Sequence, residues 1–186
     1  MIAVLREMIP DLLVVGLDRS MDLLQAGNHT VFWPLLAEAT RLPTLSASFD
    51  VISATAIIEH LCNPSYMLRD CHRVLRPGGI IAITTPVPFF ERIGTWIGHL
   101  PKEQHMHTFD LALLSTMLIQ AGFKILEAER FMLSPIGFPC ELRIERALKQ
   151  LGGGKFLLNQ IIIGQRLPDQ GHGKSIKFSR IAPKYY

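Results

Sequence analysis

Asp18 is the residue whose setting says most about chemistry. It closes an apolar run, residues 12–17, that reads as a buried parallel strand. A carboxylate at the carboxyl end of such a strand can accept hydrogen bonds from both hydroxyls of a ribose, and charged acceptors make the stronger bonds. The position equally suits an aspartate that caps the following turn. The second candidate is the pair Glu59-His60. His60, with an unperturbed pKa of ~6.5, could act as general base on a substrate hydroxyl, or the pair could simply start a helix and pack. His105 and His107 lie beside Phe109-Asp110. Gly171-His172-Gly173-Lys174-Ser175 echoes a phosphate-binding loop, but Pro168 stands where that loop needs its first glycine and no helical pattern follows Ser175. Gly152 to Gly154 follow a helical stretch rather than a strand and read as a linker.

The elements that would position these residues alternate in type. Helical spacing covers residues 2–9, with apolar residues at 2, 5, 8 and 9. After the strand over 12–17, Ser20 can cap a short helix over 21–25 that ends at Gly27-Asn28. Residues 30–36 read as a strand with Pro34 inside it, and residues 49–54 as another. Asn63 caps a helix with Pro64 first, whose apolar stripe is Met67, Leu68, Cys71, Val74 and Leu75 and whose stop is Pro77-Gly78-Gly79. A strand over 80–85 precedes a long connection, residues 86–106, with a short helix near 93–97. Then come a helix over 109–120, a strand over 123–132 of the half-alternating kind found near an edge, a helix over 141–151 and a last strand over 158–164. Strands alternating with helices imply a doubly wound α/β sheet, in which ligands bind at the carboxyl ends of strands. Asp18 and Ala54 fall at two such ends.

Composition excludes several classes. Apolar residues make up 48% of the 186, which suits a sheet buried on both faces. No run approaches the roughly 18 apolar residues of a membrane span, and Arg6 and Glu7 interrupt the opening run too early for a signal peptide. The three cysteines form no CxxC pair, so neither zinc nor a disulfide framework is indicated, and a cytoplasmic setting is expected. Net charge is +3, and much of the basic excess (Lys174, Lys177, Arg180, Lys184) is spread along the end of the chain rather than clustered on a face, so nucleic acid is not expected as a partner.

Five segments in order carry a family resemblance. They are Val14-Val15-Gly16-Leu17-Asp18-Arg19-Ser20; Glu38-Ala39 through Leu42-Pro43 to Phe49-Asp50-Val51; Glu59-His60-Leu61; Arg73-Val74-Leu75-Arg76-Pro77-Gly78-Gly79; and Ala121-Gly122-Phe123. Together they resemble the class I S-adenosylmethionine-dependent methyltransferases, and within them the type 11 group that includes quinone-biosynthesis enzymes. The resemblance implies a Rossmann-like α/β sheet, mostly parallel with one antiparallel strand, over residues 1–166, with 167–186 as a tail. It implies S-adenosylmethionine as cofactor and methyl transfer to a small-molecule acceptor. Asp18 would hold the ribose, Glu38-Ala39 the adenine, and Arg19 would lie against the adenine. Ala54 would let backbone pass close to the methionine part. Glu stands at 38 where the family usually has Asp, one methylene shorter. Some quinone O-methyltransferases use a Glu-His pair with an earlier glutamate to hold a metal. The matching earlier position is Ala56, so no metal is expected, and His60 remains the candidate base.

The resemblance also exposes a gap. The family begins with a strand and a GxGxG-like loop, and no segment here matches them. Only residues 6–11 separate the opening residues from the strand over 12–17, whereas a parallel crossover needs a dozen or more. In the family's strand order, 3-2-1-4-5-7-6, the unmatched strand is central. The expectation is therefore an N-terminally truncated sheet whose second and fourth strands face each other with open edges. Such a chain would self-associate or take a partner there. The rival to an enzyme is a non-catalytic methyltransferase-like protein acting through a partner.

Overall fold

The computed structural model describes residues 2–9, 11–27, 31–87, 107–132 and 141–168. Helix α1 (Ile2–Met8) leads to β1 (Val15–Asp18), α2 (Met21–Ala26) and β2 (Trp33–Leu36). Then follow β3 (Phe49–Thr55), a 3-10 turn (Ile58–His60), α3 (Pro64–Val74) and β4 (Leu75–Pro86). Helix α4 (Leu111–Gln120), β5 (Phe123–Phe131), α5 (Glu141–Gln150) and β6 (Asn159–Arg166) complete the order. The strands form two sheets, β1-β2 and β3-β4-β6-β5. β1 pairs parallel with β2, and β3 parallel with β4, while β6 runs antiparallel between β4 and β5. Within the larger sheet β3, β4 and β5 thus run one way and β6 the other. This is the expected mostly parallel α/β sheet, divided where the unmatched strand would stand. Among the described residues β1 pairs only with β2, and β3 only with β4.

The larger sheet owns the core. One face of β3, β4 and β6, carrying Ala54, Ile81, Ile83 and Ile162, packs against α3 through Met67, Leu68 and Cys71 and against α4 through Leu114 and Leu118. The alternation along β4 and β6 is the period-2 signature of such a strand. Arg166, at the end of β6, donates to the carbonyls of Arg73 and Leu75 and so satisfies backbone where α3 ends. Buried Gln160 donates to the carbonyls of Pro86 and Phe109, joining the end of β4 to the entry of α4.

Several expected boundaries are corrected. Pro77-Gly78-Gly79 does not stop α3, because the helix ends at Val74 and Leu75 already pairs with Phe49. The ladder resumes at Val51 opposite Ile80, so residues 76–79 bulge out of β4. A Cβ on Gly79 would come 2.8 Å from the Arg76 carbonyl and 3.0 Å from that of Asp50, which explains the glycine. The first strand shortens to Val15–Asp18, and the one expected over 30–36 shortens to Trp33–Leu36, where Pro34 is tolerated because β2 has β1 as its one partner. Helix α4 starts at Leu111, not at 109, because Asp110 caps it by accepting from the Leu113 amide at 2.8 Å. β5 is the edge strand expected. The connection expected over 86–106, with its short helix near 93–97, and the glycine run near 171 lie outside the described residues, apart from Pro86 and Val87. Among the described residues no helix is long and apolar enough to cross a membrane.

Candidate functional site

The site is built from strand ends. Asp18 ends β1 and pairs with Leu36, the last residue of β2, and its carbonyl accepts from the Ala37 amide at 3.0 Å. That bond delivers the next residues, Glu38 and Ala39, beside the end of β1. Asp18 Oδ1 accepts from the Ser20 amide at 2.8 Å, and Ser20 caps α2 through Leu23. The turn-capping role is therefore present. It occupies one carboxylate oxygen and leaves Oδ2 without a partner among the described residues. A strand-end carboxylate with a free oxygen fits a ribose hydroxyl.

Glu38 opens a tight turn in which Arg41 N donates to Glu38 O at 3.0 Å and the two residues form an isolated antiparallel bridge. Glu38 is exposed, whereas Ala39 is half-buried and packs against the core of the larger sheet, as does Leu42. The turn therefore spans the two sheets. Arg19 is exposed beside Asp18.

Ala54 and His60 belong to the other sheet. Ala54 is buried near the end of β3, opposite Ile83. Two residues on, Ala56 holds φ +50°, left-handed backbone that is uncommon for a residue with a Cβ. Its amide donates to Thr84 O at 3.0 Å, so the chain turns sharply as it leaves the sheet. His60 is exposed at the end of the following 3-10 turn. The buried member of the pair is Glu59, 1% exposed, and neither carboxylate oxygen has a hydrogen-bond partner among the described residues. Its carbonyl accepts from the His107 amide at 3.3 Å, which brings His107 under the turn, while His105 lies outside the described residues. Spacing alone did not separate a buried Glu59 from an exposed His60. The neighbouring run Ile57-Ile58 is the one sequence signal that the turn packs inward. Among the described residues no three His, Cys, Asp or Glu side chains gather as metal ligands.

Behind the turn at residues 38–41, Asp70 and Arg73 of α3 reach across to residues 42–44. Burial alone would raise the Asp70 pKa. The Arg73 side chain, the Leu42 amide and the charges of Arg73 and Arg41 outweigh it and hold the carboxyl below its ordinary value. The hydrogen bond to Asp70 raises Arg73 in turn. Cys71, between them and facing the core, is pushed up to about 12 by burial, with the Asp70 charge adding to it.

The fold is an α/β sheet in two parts, with an acid at the end of β1 and an acidic-Ala turn beside it. Residues 2–83 match the family model described as "Methyltransferase domain", Methyltransf_11. The malonyl-[acyl-carrier protein] O-methyltransferase 1 of Coxiella burnetii is 30% identical over 154 residues, covering 80% of this chain and 51% of that protein. A ubiquinone biosynthesis O-methyltransferase of Parvibaculum lavamentivorans is 29% identical over 107 residues, 53% of this chain and 42% of that protein. Among solved structures, the methyltransferase seen in complex with the Haloferax volcanii Trm112 activator superposes with a TM-score of 0.70 over 89% of this chain and 77% of that one, at 17% identity. An S-adenosylmethionine-dependent methyltransferase from Mesorhizobium loti gives 0.62 over 83% and 80%, at 19% identity. Residues 2–83 thus match the type 11 methyltransferase family model, and the chain has the Rossmann-like α/β fold seen in S-adenosylmethionine-dependent methyltransferases. The chain spans about half the length of the curated relatives it matches.

Proposed function

We propose that this chain carries the cofactor-binding part of an S-adenosylmethionine-dependent methyltransferase that acts on a small-molecule acceptor in the cytoplasm. Residues 1–166 form the domain and 167–186 a tail. The observation that carries the reading is the juxtaposition at the end of β1: Asp18, whose Oδ2 has no partner among the described residues, and the Glu38-Ala39 turn tied to it through Ala37. In this reading Asp18 accepts from ribose hydroxyls, Glu38 accepts from the adenine amine with Ala39 and Arg19 against the ring, and buried Ala54 leaves room for backbone beside the methionine part. The bound cofactor would supply an electrophilic methyl group on a sulfonium. The protein's share is to hold it and the acceptor in line, which makes transfer a positioning problem. An oxygen acceptor is favoured by the two O-methyltransferases above, and His60, exposed beyond β3, is not essential for turnover in this reading.

Calorimetry with S-adenosylmethionine tests the reading. Binding is expected for the protein as encoded, and absence of binding would overturn the assignment.

The edges of β1 and β3, unpaired among the described residues, support a second reading, a methyltransferase-like protein that acts through a partner seated there. Binding of cofactor without turnover on any acceptor, together with a stable complex, would favour it.

A further inference from the structure

Leu42 sits in a loop, yet both its backbone groups are held as if by a neighbouring strand. Its amide donates to Asp70 Oδ2, and its carbonyl accepts from Arg73 Nη2 at 2.8 Å. Arg73 Nη1 donates to the Thr44 carbonyl at 2.7 Å. The two side chains lock each other: Arg73 Nε to Asp70 Oδ1 is 2.7 Å, and Nη2 to Oδ2 is 3.2 Å. They stand three apart on α3, neighbours on one helix face. Farther along, the Ala47 amide donates to Arg73 O at 2.9 Å and that of Ser48 to Val74 O at 2.8 Å. The loop borders an open cavity of about 740 Å³ lined in part by Arg41, Thr44, Ser48, Asp70 and Arg73, so side-chain packing does not enclose it. The hydrogen bonds from α3 fix it.

What the loop carries is the turn 38–41. That turn is anchored in front by Ala37 N on Asp18 O and behind, one residue after Arg41, by the bonds to Leu42. We propose that the Asp70–Arg73 pair is a positioning device that sets the height and orientation of the Glu38-Ala39 turn, and so the protein's preference for adenine over other bases. The proposal rests on the cofactor reading above and adds residues outside the ligand's reach. It requires arginine in particular. Arg73 directs N–H groups from Nε, Nη1 and Nη2 at four acceptor contacts, a fan that the three donors of a lysine ammonium, all on one atom, cannot reproduce.

The test compares S-adenosylhomocysteine with S-inosylhomocysteine, whose base lacks the exocyclic amine, by calorimetry on the protein as encoded. Wild type is expected to prefer the adenine compound. Arg73→Lys, which keeps charge and stem, is expected to lose about tenfold in affinity for the adenine compound and under twofold for the inosine one, collapsing the preference. Arg73→Ala and Asp70→Asn should move in the same direction, and Arg73→Lys carries the test if Arg73→Ala does not fold. A lowered melting temperature with the base preference kept, or equal losses for both compounds, overturns the proposal and reduces the pair to a fold support. If wild type binds neither compound, the cofactor reading itself fails and takes the proposal with it. If wild type binds with a base preference that all three variants keep, the positioning role alone fails.

Discussion

The two sheets are made from the same alternation of strand and helix, yet among the described residues only one of them has inner strands. In the four-stranded sheet, β4 and β6 have neighbours on both sides, and Ile81, Ile83 and Ile162 are fully buried beneath α3 and α4. In the β1-β2 ribbon each strand has one neighbour, and Val15 is 41% and Trp33 71% exposed. The open edge of β3 repeats the pattern on the far side of the division, with Val51 61% exposed. The difference lies in neighbours rather than in residue type: valine and tryptophan in the ribbon are as apolar as the isoleucines of the core. In the proposed reading, stability and recognition are supplied by different regions. The larger sheet provides the core, while Asp18, Arg19 and Glu38 ride on the ribbon and its outgoing turn. The turn 38–41, held at Asp18 on one side and at α3 on the other, is the joint between them.

The largest effects should come from substitutions that separate the two regions. Ile81→Ala or Leu118→Ala is expected to lower unfolding free energy by about 2–5 kcal/mol, against under about 1 kcal/mol for Val15→Ala, as read by denaturant titration. Comparable losses at all three positions would show that the ribbon is as well packed as the core. Gly122→Ala should come next. Its backbone is left-handed at φ +96°, and an added Cβ would lie 2.8 Å from His72 Nε2. A loss of about 1–3 kcal/mol is expected, and an unchanged melting curve would contradict it.

Asp70 gives a pH signature. Its folded pKa is depressed below the ordinary value of 3.8, so its contribution is fully present above that value and is lost as pH falls through the lower folded one. The stability gap between wild type and Asp70→Asn should therefore stay flat through neutral pH and close only in acid. A gap that already narrows near neutrality would point to another group. Smaller still is the effect of His60→Ala. With cofactor affinity unchanged, turnover is expected to fall by less than about tenfold, and a hundredfold loss would make His60 the general base. Cys71, whose pKa is pushed up to about 12, should resist iodoacetamide in the folded protein at mildly alkaline pH, where exposed Cys62 reacts.

Most of the larger sheet was legible in the residues. The apolar stripe from Met67 to Val74, Pro64 at the start of α3, and Ala121-Gly122-Phe123 between α4 and β5 lie where periodicity put them, whereas Leu75 belongs to β4 and the Asn63 side chain makes no capping bond. Gly122 is explained by its positive φ and by His72, a contact from another helix that local pattern cannot reveal. The bulge at residues 76–79 was hidden for a related reason. Pro-Gly-Gly reads as a helix stop, and only the pairing of Leu75 with Phe49 shows that the strand has already begun. At the site, Asp18 could be placed from the apolar run before it. The burial of Glu59 and the Asp70–Arg73 contacts with Leu42 and Thr44 could not, because the latter join residues 28 to 31 positions apart and carry no periodic signal.

The central claim is that Asp18 holds the ribose of a bound cofactor. Its most direct test is a calorimetric cycle on the protein as encoded: wild type and Asp18→Ala, each with S-adenosylhomocysteine and with its 2′-deoxy analogue. Loss of hydrogen bonds to a charged acceptor should weaken S-adenosylhomocysteine binding by about 1.5–3 kcal/mol in Asp18→Ala, and the variant should no longer distinguish the two compounds. Equal affinity of wild type and Asp18→Ala, or an undiminished preference for the 2′-hydroxyl in the variant, would contradict the account and leave Asp18 as the cap of the turn at Ser20 alone.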